Sequence, residues 1–392
     1  MTEVKLKFPF FDLTRQYSGI KSQVVEKFVE VLNDQSFIHG EAVTQFEKEI
    51  AQWLGSSHAI SVSSGTDAMI AALTALKIGP GDEVITTPFS TYATIGAILF
   101  VGAKPVFVDI DPRTYNLDAS KIGKHISRYT KAILPVHLYG QCAEMTPILE
   151  TARRHGIAVI EDFAQALGAA DRGRPAGSMG TLAVTTFSPN KNLGGVADGG
   201  LIVTNDAELA RRVRMSRLQY SERRSVGELL GTHARIDGLQ AAYLSVKFRY
   251  LKGWIEKRAA IAERYIEGLA SLAEYGVVVP HVAQGKIHSW NQFVIRVPQR
   301  DHVRKLLTLE GVPTEVYYSQ TLPQQKALRG ICGERGWPEA ERAARSVLAL
   351  PVFPELELHE QDEVIKGLTK VLRASVRKEA APLTAEPEAM AR

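Results

Sequence analysis

The chain has 392 residues, of which 45% are hydrophobic and 23% are charged. The length suggests two or three domains, and the composition is that of ordinary globular proteins, which excludes wholesale disorder, collagen-like structure and a long coiled coil. The formal net charge of +4 is small for this length, so charge gives no reason to expect nucleic-acid binding.

Cysteine content and apolar runs bear on the cellular compartment. The two cysteines, Cys142 and Cys332, lie far apart in sequence, which excludes a disulfide framework or a CxxC zinc site and favours a reducing cytoplasm. The first residues contain no apolar stretch followed by a small-residue cleavage site, and no run of about 18 apolar residues occurs. We therefore expect a cytoplasmic protein without a signal peptide or a transmembrane helix.

The N-terminal part predicts a short extended segment at 8–13 and two helices, at 20–32 and 41–54. The first of these helices carries five apolar residues on one face, which are Val24, Val25, Phe28, Val29 and Leu32.

Short apolar runs of strand length follow, at 58–62, 83–87, 105–110, 132–136, 157–160, 182–187 and 200–204. Helical patterns, such as those at 68–76 and 146–155, separate several of them. This alternation predicts an α/β fold, a mostly parallel sheet flanked by helices on both faces. Ligands of such sheets bind at the carboxyl ends of the strands, so the residues after each strand are the candidates for a site.

The second half of the chain predicts a smaller α+β domain. A helix at 206–217, capped by Asn205, and a long helical stretch at 237–272 lead out of the first domain. The elements expected beyond them are strands at 277–279, 291–297 and 313–318 and helices at 300–307, 338–347 and 360–374. We therefore expect a large domain at 1–250, which includes the N-terminal segment, a small C-terminal domain at 251–374, and a loose tail at 375–392.

Two of the predicted strand ends carry residues suited to ligand binding or catalysis. Residues 64–67 form a turn that opens a helix, and such a turn offers free backbone N–H groups to an anion. Glu161 and Asp162 end a buried strand, where a carboxylate needs a partner such as a bound cation. Taken singly, the first segment also fits a plain N-cap turn and the second a solvated strand end.

A third strand end leads into a loop rich in Gly, Pro and Asn that contains Lys191. A lysine desolvated in such a loop has a lowered pKa and becomes a nucleophile for Schiff-base chemistry, although a lone lysine in a turn also fits an ordinary surface position. Together the three segments offer an anion cradle, a carboxylate and an amine. These groups match the phosphate, the pyridine nitrogen and the aldehyde of pyridoxal phosphate.

Longer motifs extend this match. They are SFIHG ending at Gly40, SGTDA ending at Ala68, GPGDEVI ending at Ile85, EDFAQ ending at Gln165, KNLG starting at Lys191, RIDGLQA starting at Arg235 and LPVFP starting at Leu350. Through these motifs, from Phe8 to about Leu372, the chain resembles the DegT/DnrJ/EryC1/StrS family of sugar aminotransferases. The resemblance implies pyridoxal phosphate as cofactor and the fold-type I architecture, in which a large domain with a mostly parallel sheet precedes a smaller C-terminal α+β domain.

The resemblance implies catalytic roles for two residues. Lys191 matches the family lysine that bonds covalently to the cofactor aldehyde and then moves a proton between the α-carbon of the amino acid and the cofactor. Asp162 matches the carboxylate that pairs with the pyridinium nitrogen and keeps the ring protonated. No metal is expected, because the ten histidines are scattered without metal-ligand spacing.

Further cofactor contacts follow from the same resemblance. Gln165 matches a residue near the ring hydroxyl, and Tyr92 matches an aromatic residue against the ring face, although Tyr92 also fits core packing. Gly65, Thr66 and Thr186 match positions that bind the phosphate.

The chain departs from the family pattern at three places. His233 stands where the family commonly has an asparagine, in a Gly-x-Asn-x-Arg motif that reaches the cofactor phosphate of the neighbouring subunit. Arg235 ends that motif and is expected, with Tyr318, to contact substrate, but the histidine that often follows the family tyrosine is absent. Phe163 stands where a small residue is usual, and we expect its ring to reshape the wall beside the cofactor.

The resemblance implies a transaminase with two half reactions. An amino acid, expected to be L-glutamate, gives up its amino group, and a nucleotide-linked keto-sugar accepts it. The motif at Lys191, the sequence at Asp198 and the presence of Gln165 favour a 3-keto-(6-deoxy)hexose or a 3-keto-hexuronate. Six arginines are candidates either for diphosphate binding or for a solvated basic helix face, and these are Arg211, Arg212, Arg214, Arg217, Arg223 and Arg224.

Three alternatives stay open at this point: a 4-keto-sugar aminotransferase, a pyridoxal-phosphate-dependent sugar dehydratase, and a non-catalytic regulatory protein. The dehydratases of the family replace the lysine by histidine, so Lys191 argues against the second alternative. The third predicts loss of Lys191 or Asp162, and both are present. We further expect a homodimer with shared active sites, into which His233 enters from the partner, and neither nucleic acid nor membrane as a partner.

Overall fold

The computed structural model describes residues 5–38, 40–217, 234–331 and 336–379, of which 375–379 are described by their backbone alone. The strands in this part of the chain are β1 (His58–Val62), β2 (Glu83–Thr86), β3 (Lys104–Phe107), β4 (Thr130–Ile133), β5 (Ala158–Asp162), β6 (Ala170–Asp171), β7 (Arg174–Pro175), β8 (Leu182–Thr186), β9 (Gly200–Thr204), β10 (Lys286–Ile287), β11 (Phe293–Arg296) and β12 (Val347–Leu350).

The helices come from segments with an apolar stripe or with strong helix formers. Those in the described ranges are α1 (Leu13–Ser18), α2 (Lys21–Asp34), α3 (Glu41–Leu54), α4 (Gly65–Ala75), α5 (Tyr92–Phe100), α6 (Ala119–Ile122), α7 (Met145–His155), α8 (Ala207–Arg217), α9 (Gly238–Phe248), α10 (Leu251–Leu269), α11 (Arg300–Leu309), α12 (Pro338–Ser346) and α13 (Leu358–Glu379).

A large, mostly parallel sheet forms the centre of the molecule. Its strands lie in the order β1-β9-β8-β5-β4-β2-β3, and β9 is antiparallel to both of its neighbours. Because β9 is antiparallel to both β1 and β8, these two strands run in the same direction. Strand β5 is parallel to β8, so β1, β5 and β8 all end at the same edge of the sheet. Gly200, the first residue of β9, lies opposite both Val62 and Thr186 at this edge. The predicted α/β fold is therefore confirmed.

Alternating side chains of the strands enter hydrophobic cores on opposite faces of the sheet. Ile160 and Val184 pack with α4, α5 and α8 on one face. Val159 and Ala183 enter clusters on the other face, which α3, α7 and α9 cover. Burial on both faces removes apolar surface from water throughout the strands and holds their ends in fixed positions, which is the requirement for a site built at those ends.

A second hydrophobic cluster gathers the C-terminal elements. It contains residues of α10, α11, α13 and the antiparallel pair of strands β11 and β12, in which Phe293 lies opposite Leu350. Phe8 joins this cluster, so the N-terminal segment packs on the small C-terminal unit. By contrast α12 packs on the core of the large sheet through Ala340, Ala343 and Ala344.

Several local expectations are corrected by the structure. The predicted continuous helix at 237–272 is interrupted, because the Tyr250 N–H bonds to the Lys247 carbonyl and α10 starts anew at Leu251. Asn205 does not cap α8. Its side chain accepts the Ser57 N–H, and Asp206 accepts the N–H groups of helix residues 208 and 209 instead.

Two further differences concern the ends of the chain. The apolar face predicted on α2 is split, because Val24 is buried whereas Val25, Val29 and Leu32 are each 48% exposed. At the other end, α13 continues to Glu379, five residues into the segment expected to be a loose tail. Among the described residues, no helix has both the length and the apolarity that crossing a membrane requires.

Candidate active site

A cavity of about 300 Å³ opens at the shared edge where β1, β5 and β8 end. Turns after these strands supply most of its lining. Six of the residues predicted for the site line it, which are Gly65, Thr66, Asp162, Gln165, Thr186 and Lys191. The three segments singled out in the sequence therefore lie together at one edge of the sheet.

The N-terminus of α4 forms one wall of the cavity. Ser64 caps this helix by accepting the Asp67 N–H with its hydroxyl, which leaves the N–H groups of Gly65 and Thr66 without an acceptor inside the helix. A Cβ on Gly65 would lie 2.6 Å from the Cβ of Thr186, so only glycine allows β8 and this turn to approach so closely. The wall therefore presents free donors and the positive end of a helix dipole to an anion.

Asp162 lies at the end of β5 with its carboxylate facing the cavity. Thr94 donates its hydroxyl to Oδ2 at 3.1 Å, and the Ala164 N–H donates to Oδ1 at 3.1 Å. Burial raises the pKa of this carboxyl group, while the two hydrogen bonds and the charge of Lys191 act in the opposite direction. A positively charged group placed beside Asp162 would stabilise its ionised form.

Glu161, the other half of the acidic pair, points to the opposite face of the sheet, as alternation along a strand requires. Its carboxylate accepts backbone N–H groups from Gly177, Met179 and Gly180 and lies 2.9 Å from Nε2 of His137. Protein donors therefore satisfy Glu161, and only Asp162 is available to a ligand. Nδ1 of His137 accepts the Ala143 N–H, which assigns the Nε2–H tautomer to this ring.

Lys191 lies in the turn after β8, and its side chain lines the cavity together with that of Asp162. Burial lowers the pKa of the Lys191 amine, and the charge of Asp162 opposes this shift. A lowered pKa increases the fraction of neutral, nucleophilic amine near neutral pH.

The loop that follows Lys191 is held by side chains from other elements. Gln240 of α9 accepts the Val196 N–H and donates to the Ala197 carbonyl. Asn192 donates to the Leu167 and Ser289 carbonyls. These bonds fix the backbone on the C-terminal side of Lys191, so the position of its amine does not depend on the loop alone.

Gln165 and Tyr318 form a fixed pair on another wall. The Gln165 side chain accepts the Tyr139 N–H at 2.8 Å and donates to the Tyr318 hydroxyl at 3.2 Å. These two bonds fix the orientation of the amide at the cavity. Tyr318, predicted as a substrate contact, is thereby joined to a residue that lines the cavity.

Other residues predicted for the site lie elsewhere or outside the described ranges. Tyr92 begins α5, is 46% exposed and lies beside Gly96, and it is not among the residues that line the cavity. Arg235 is partly buried before α9 and also does not line it. His233 lies outside the described residues, so its predicted contact with a partner's cofactor stays a prediction, as do the roles of Tyr92 and Arg235.

The expected effect of Phe163 on the cavity wall is not what the structure shows. Its ring packs into the core behind β5, and its edge faces Gly177, where an added Cβ would lie 2.7 Å away. Gly177 has a φ of +90°, a conformation that favours glycine. The large ring after Asp162 is therefore accommodated on the far side of the strand and does not line the cavity.

The arginines of α8 are engaged in local interactions. Arg211 and Arg212 both pair with Glu208 of the same helix, and Arg217 pairs with Glu47 at 2.7 Å. None of these three lines the cavity. Arg223 and Arg224 lie outside the described residues. Arg211 and Arg212 therefore fit the helix-face interpretation, whereas Arg217 is buried against Glu47 and fits neither a solvated face nor diphosphate binding.

Sequence reasoning missed several residues that shape the cavity. Thr94 supports Asp162 although 68 positions separate them, and Ser188 and Asn190 line the cavity beside Lys191. Gln240 acts through the loop and lies on α9, far away in sequence. Of these four residues only Gln240 lies in a quoted motif, and nothing in the sequence indicated which of the four side chains would reach the site.

Comparison with known proteins identifies the family. The model of the DegT/DnrJ/EryC1/StrS aminotransferase family matches residues 19–369. The chain belongs to this family. It is 42% identical to a pleiotropic regulatory protein of Geobacillus stearothermophilus, over 94% of this chain and 99% of that protein. It is 39% identical to UDP-N-acetyl-3-dehydro-alpha-D-glucosamine 3-aminotransferase of Acidithiobacillus ferrooxidans, over 94% of this chain and 98% of that enzyme.

A solved structure gives the matching fold and cofactor. The crystal structure of NtdA from Bacillus subtilis with bound cofactor PMP aligns with a TM-score of 0.87 and 34% identity, over 94% of this chain and 85% of that one. This DegT/DnrJ/EryC1/StrS protein is therefore an aminotransferase with the fold-type I architecture, and its cofactor is pyridoxal phosphate.

The donor set of the cavity fits that cofactor. The N–H groups of Gly65 and Thr66 suit a phosphate, the Asp162 carboxylate suits a protonated ring nitrogen, and the Lys191 amine suits an aldehyde. Thr186 lines the same wall, but its hydroxyl donates to the Gly199 carbonyl at 3.1 Å and accepts the Ser188 N–H. Its described bonds therefore hold the turn that carries Lys191, and its contact with the phosphate stays a prediction.

Replacing Gly65 by alanine should weaken cofactor binding by about tenfold or more. The new Cβ would overlap Thr186, so the turn and its two N–H groups would have to move away from the phosphate position. Titration of the cofactor-free variant with pyridoxal phosphate, followed by absorbance, measures the effect. Gly253→Ala is the matched control, because a Cβ there meets no atom within 4 Å, and its affinity should equal that of the wild type. Equal affinities in all three proteins would contradict the assigned phosphate wall.

Proposed function

We propose that this aminotransferase moves an amino group from an amino acid, L-glutamate, to the 3-keto group of a nucleotide-linked sugar. The observation that carries the proposal is the placement of Lys191 and Asp162 in one cavity with the free N-terminus of α4. The protein supplies an amine, a carboxylate and an anion site at the positions that this chemistry needs.

Each residue has a distinct task in the proposed reaction. Bound pyridoxal phosphate supplies an electron sink for the carbanion formed at the donor α-carbon. The Lys191 amine would take the proton from that carbon and pass a proton to the cofactor, and in the second half reaction it would move the proton in the reverse direction. Asp162 keeps a proton on the ring nitrogen. Gly65 and Thr66 hold the phosphate, so the reacting atoms stay beside the Lys191 amine.

The position of amination is supported by one residue and one relative. Family members that act on 4-keto-sugars more often carry histidine where this chain has Gln165. Here the Gln165 amide is oriented by Tyr139 and Tyr318. The relative from Acidithiobacillus ferrooxidans is named as acting at C3 of a UDP-linked sugar. A 3-keto-(6-deoxy)hexose or a 3-keto-hexuronate on a nucleotide is therefore the proposed acceptor.

We also propose that the enzyme works as a homodimer in the cytoplasm. The exposed apolar side chains of Val25, Val29 and Leu32 on α2 favour a protein partner on that face, and the family motif ending at Arg235 favours a site shared between subunits. The low cysteine content is consistent with a reducing compartment. Analytical ultracentrifugation of the loaded protein tests the dimer, and an active monomer would contradict it.

The acceptor is tested with a panel of nucleotide-linked sugars. UDP- and dTDP-linked 3-keto and 4-keto sugars are each incubated with L-glutamate, and the amino-sugar product is located by NMR. The proposal expects amination at C3 with release of 2-oxoglutarate. Turnover confined to the 4-keto sugars would favour the 4-keto alternative, and loss of water from the sugar without amine transfer would favour the dehydratase.

The regulatory alternative has one observation in its favour, the name of the relative from Geobacillus stearothermophilus. The chain nevertheless retains Lys191 and Asp162, both within the cavity. A protein that binds the cofactor but converts neither glutamate nor any sugar of the panel would support the regulatory alternative.

A further inference from the structure

A second, smaller cavity of about 50 Å³ lies next to the first. Asn190, the residue before Lys191, lines both cavities, so the smaller one adjoins the cavity that Lys191 lines. Polar side chains of Arg258, Asn291 and Gln292 line it together with the ring of Tyr317. A water molecule needs roughly 10–15 Å³ of such space, so this cavity holds a group of a few heavy atoms and is too small for a sugar ring.

Arg258 carries a positive charge into the wall of this cavity. It belongs to α10 and is only 2% exposed. Its described hydrogen bonds all come from Nη1 and go to neutral acceptors, the carbonyls of Trp290, Asn291 and Val352. Burial lowers the pKa of this guanidinium to about 10. Carbonyl groups solvate the charge in part, but they do not neutralise it.

A second buried cation lies close enough to interact with Arg258. Lys247 is 1% exposed, and its ammonium lies over the rings of Tyr243 and Trp254, at 5.3 and 5.5 Å from their centres. The pKa of Lys247 is lowered to about 8, mainly by burial; the charge of Glu355 opposes this shift and the charge of Arg258 adds to it. Among the described residues, Glu355 is the one carboxylate whose charge raises the pKa of either cation.

The local charge balance is therefore two buried cations against one carboxylate. Glu355 is itself disfavoured as an anion, because burial raises its pKa, and its Oε2 has no hydrogen-bond partner among the described atoms. Gln292 also has a buried Oε1 without a partner there. Reversing that amide would present its NH₂ group instead, which is a donor for an anion.

We propose that the smaller cavity is the subsite for a carboxylate of the amino donor, with Arg258 as its charge partner. This inference rests on the proposed function. The carboxylate offsets the unpaired positive charge of the Arg258–Lys247 pair and accepts donors from Arg258 and Asn190. Because Asn190 adjoins Lys191, a donor anchored there presents its α-carbon to the amine that must take its proton.

The test separates the two half reactions of the loaded enzyme. In Arg258→Gln, the glutamate concentration that half-saturates the first half reaction should rise by about 30-fold or more, because a charge-assisted bond to a buried carboxylate is lost. The second half reaction, followed by adding keto-sugar to the aminated cofactor form, should change by less than about threefold. Stopped-flow absorbance of the cofactor reports both. A role limited to folding would affect both halves alike.

Arg300→Gln is the matched control. Arg300 is also a buried arginine of the C-terminal unit, 4% exposed, and its Nη1 likewise donates to a carbonyl, that of Val347. It does not line either cavity. Its variant should lose stability to a similar degree and leave glutamate saturation unchanged. Unchanged glutamate saturation in Arg258→Gln, or an equal rise in both variants, would overturn the inference.

A binding measurement covers the case in which Arg258→Gln does not fold. Glutarate, a dicarboxylate without an amino group, should bind the loaded wild-type protein in calorimetry, and its neutral diamide should not. The conservative Arg258→Lys variant should bind glutarate at least about tenfold more weakly. Absence of glutarate binding to the wild type overturns the subsite even if amination occurs. Failure of amination with every donor and sugar overturns the proposed function, while glutarate binding still decides on the subsite.

Discussion

Replacement of Lys191 by alanine should abolish amino transfer, with a loss of at least about 10³-fold in turnover. The variant removes the amine that bonds to the cofactor aldehyde and carries the proton between donor and cofactor. No other lysine lines the cavity in the described part of the chain. The yellow absorbance near roughly 410–430 nm, which arises from the lysine-bound cofactor, should disappear as well. Steady-state assays and absorbance spectra measure the two effects.

The control for this variant is Lys131→Ala, at an exposed position on β4, where both activity and absorbance should be those of the wild type. Borohydride reduction of the wild-type enzyme should fix the cofactor to one peptide, the one that contains Lys191, as read by mass spectrometry. Full activity in Lys191→Ala, or label on a different lysine, would refute the assigned nucleophile.

Replacement of Asp162 by asparagine should lower the turnover number by about 10²–10⁴-fold while the protein remains folded. The side chain keeps its shape, and its remaining oxygen can still accept the Ala164 N–H. It loses the negative charge that holds a proton on the ring nitrogen, so the pKa of that nitrogen falls and the neutral ring is a weaker electron sink. Single-turnover rates with L-glutamate measure the loss directly.

Asp109→Asn is the matched control for this charge removal. Asp109 is also buried, and its carboxylate accepts the N–H groups of Glu339 and Ala340 at the start of α12, away from the cavity. Its variant should lose about 1 kcal/mol of unfolding free energy and keep wild-type turnover. Turnover in Asp162→Asn close to that of the wild type would remove the ring-nitrogen role from Asp162.

The parts of the site that follow strand ends were predictable from the sequence. A parallel sheet brings the carboxyl ends of its strands to one edge, so Gly65, Asp162 and Lys191 had to come close together once β1, β5 and β8 were recognised. The resemblance added Gln165 and Thr186, which no periodicity would have indicated.

The supporting contacts were not predictable, because they join residues far apart in sequence. Thr94 reaches Asp162 only after α5 has packed on the sheet, and Gln240 reaches the lysine loop only after α9 has. Because the Phe163 side chain is larger than the small residue usual at this position, it was expected to reshape the cavity wall. Its ring turns to the opposite face because Gly177 leaves space there, and that space comes from a distant turn.

The helix and strand errors have similarly local causes. The segment 237–272 contains no proline, so its sequence gave no sign of the tighter hydrogen bond between Tyr250 and Lys247 that ends α9. The helix predicted at 338–347 included Val347, which instead begins β12, because pairing with β11 decides the conformation of this residue.

Glu161 and Asp162 are adjacent on a single pleated strand, and this adjacency has a mechanical consequence. Glu161 is held by hydrogen bonds from three backbone N–H groups and from His137 on the opposite face of the sheet. These bonds restrain the backbone of the neighbouring residue, Asp162. The orientation of the Asp162 carboxylate is thus set from the opposite face of the sheet. A substitution that weakens the hydrogen bonds from the 177–180 turn, which does not line the cavity, would therefore misplace the Asp162 carboxylate. We expect it to lower the rate of amino transfer more than it lowers the melting temperature.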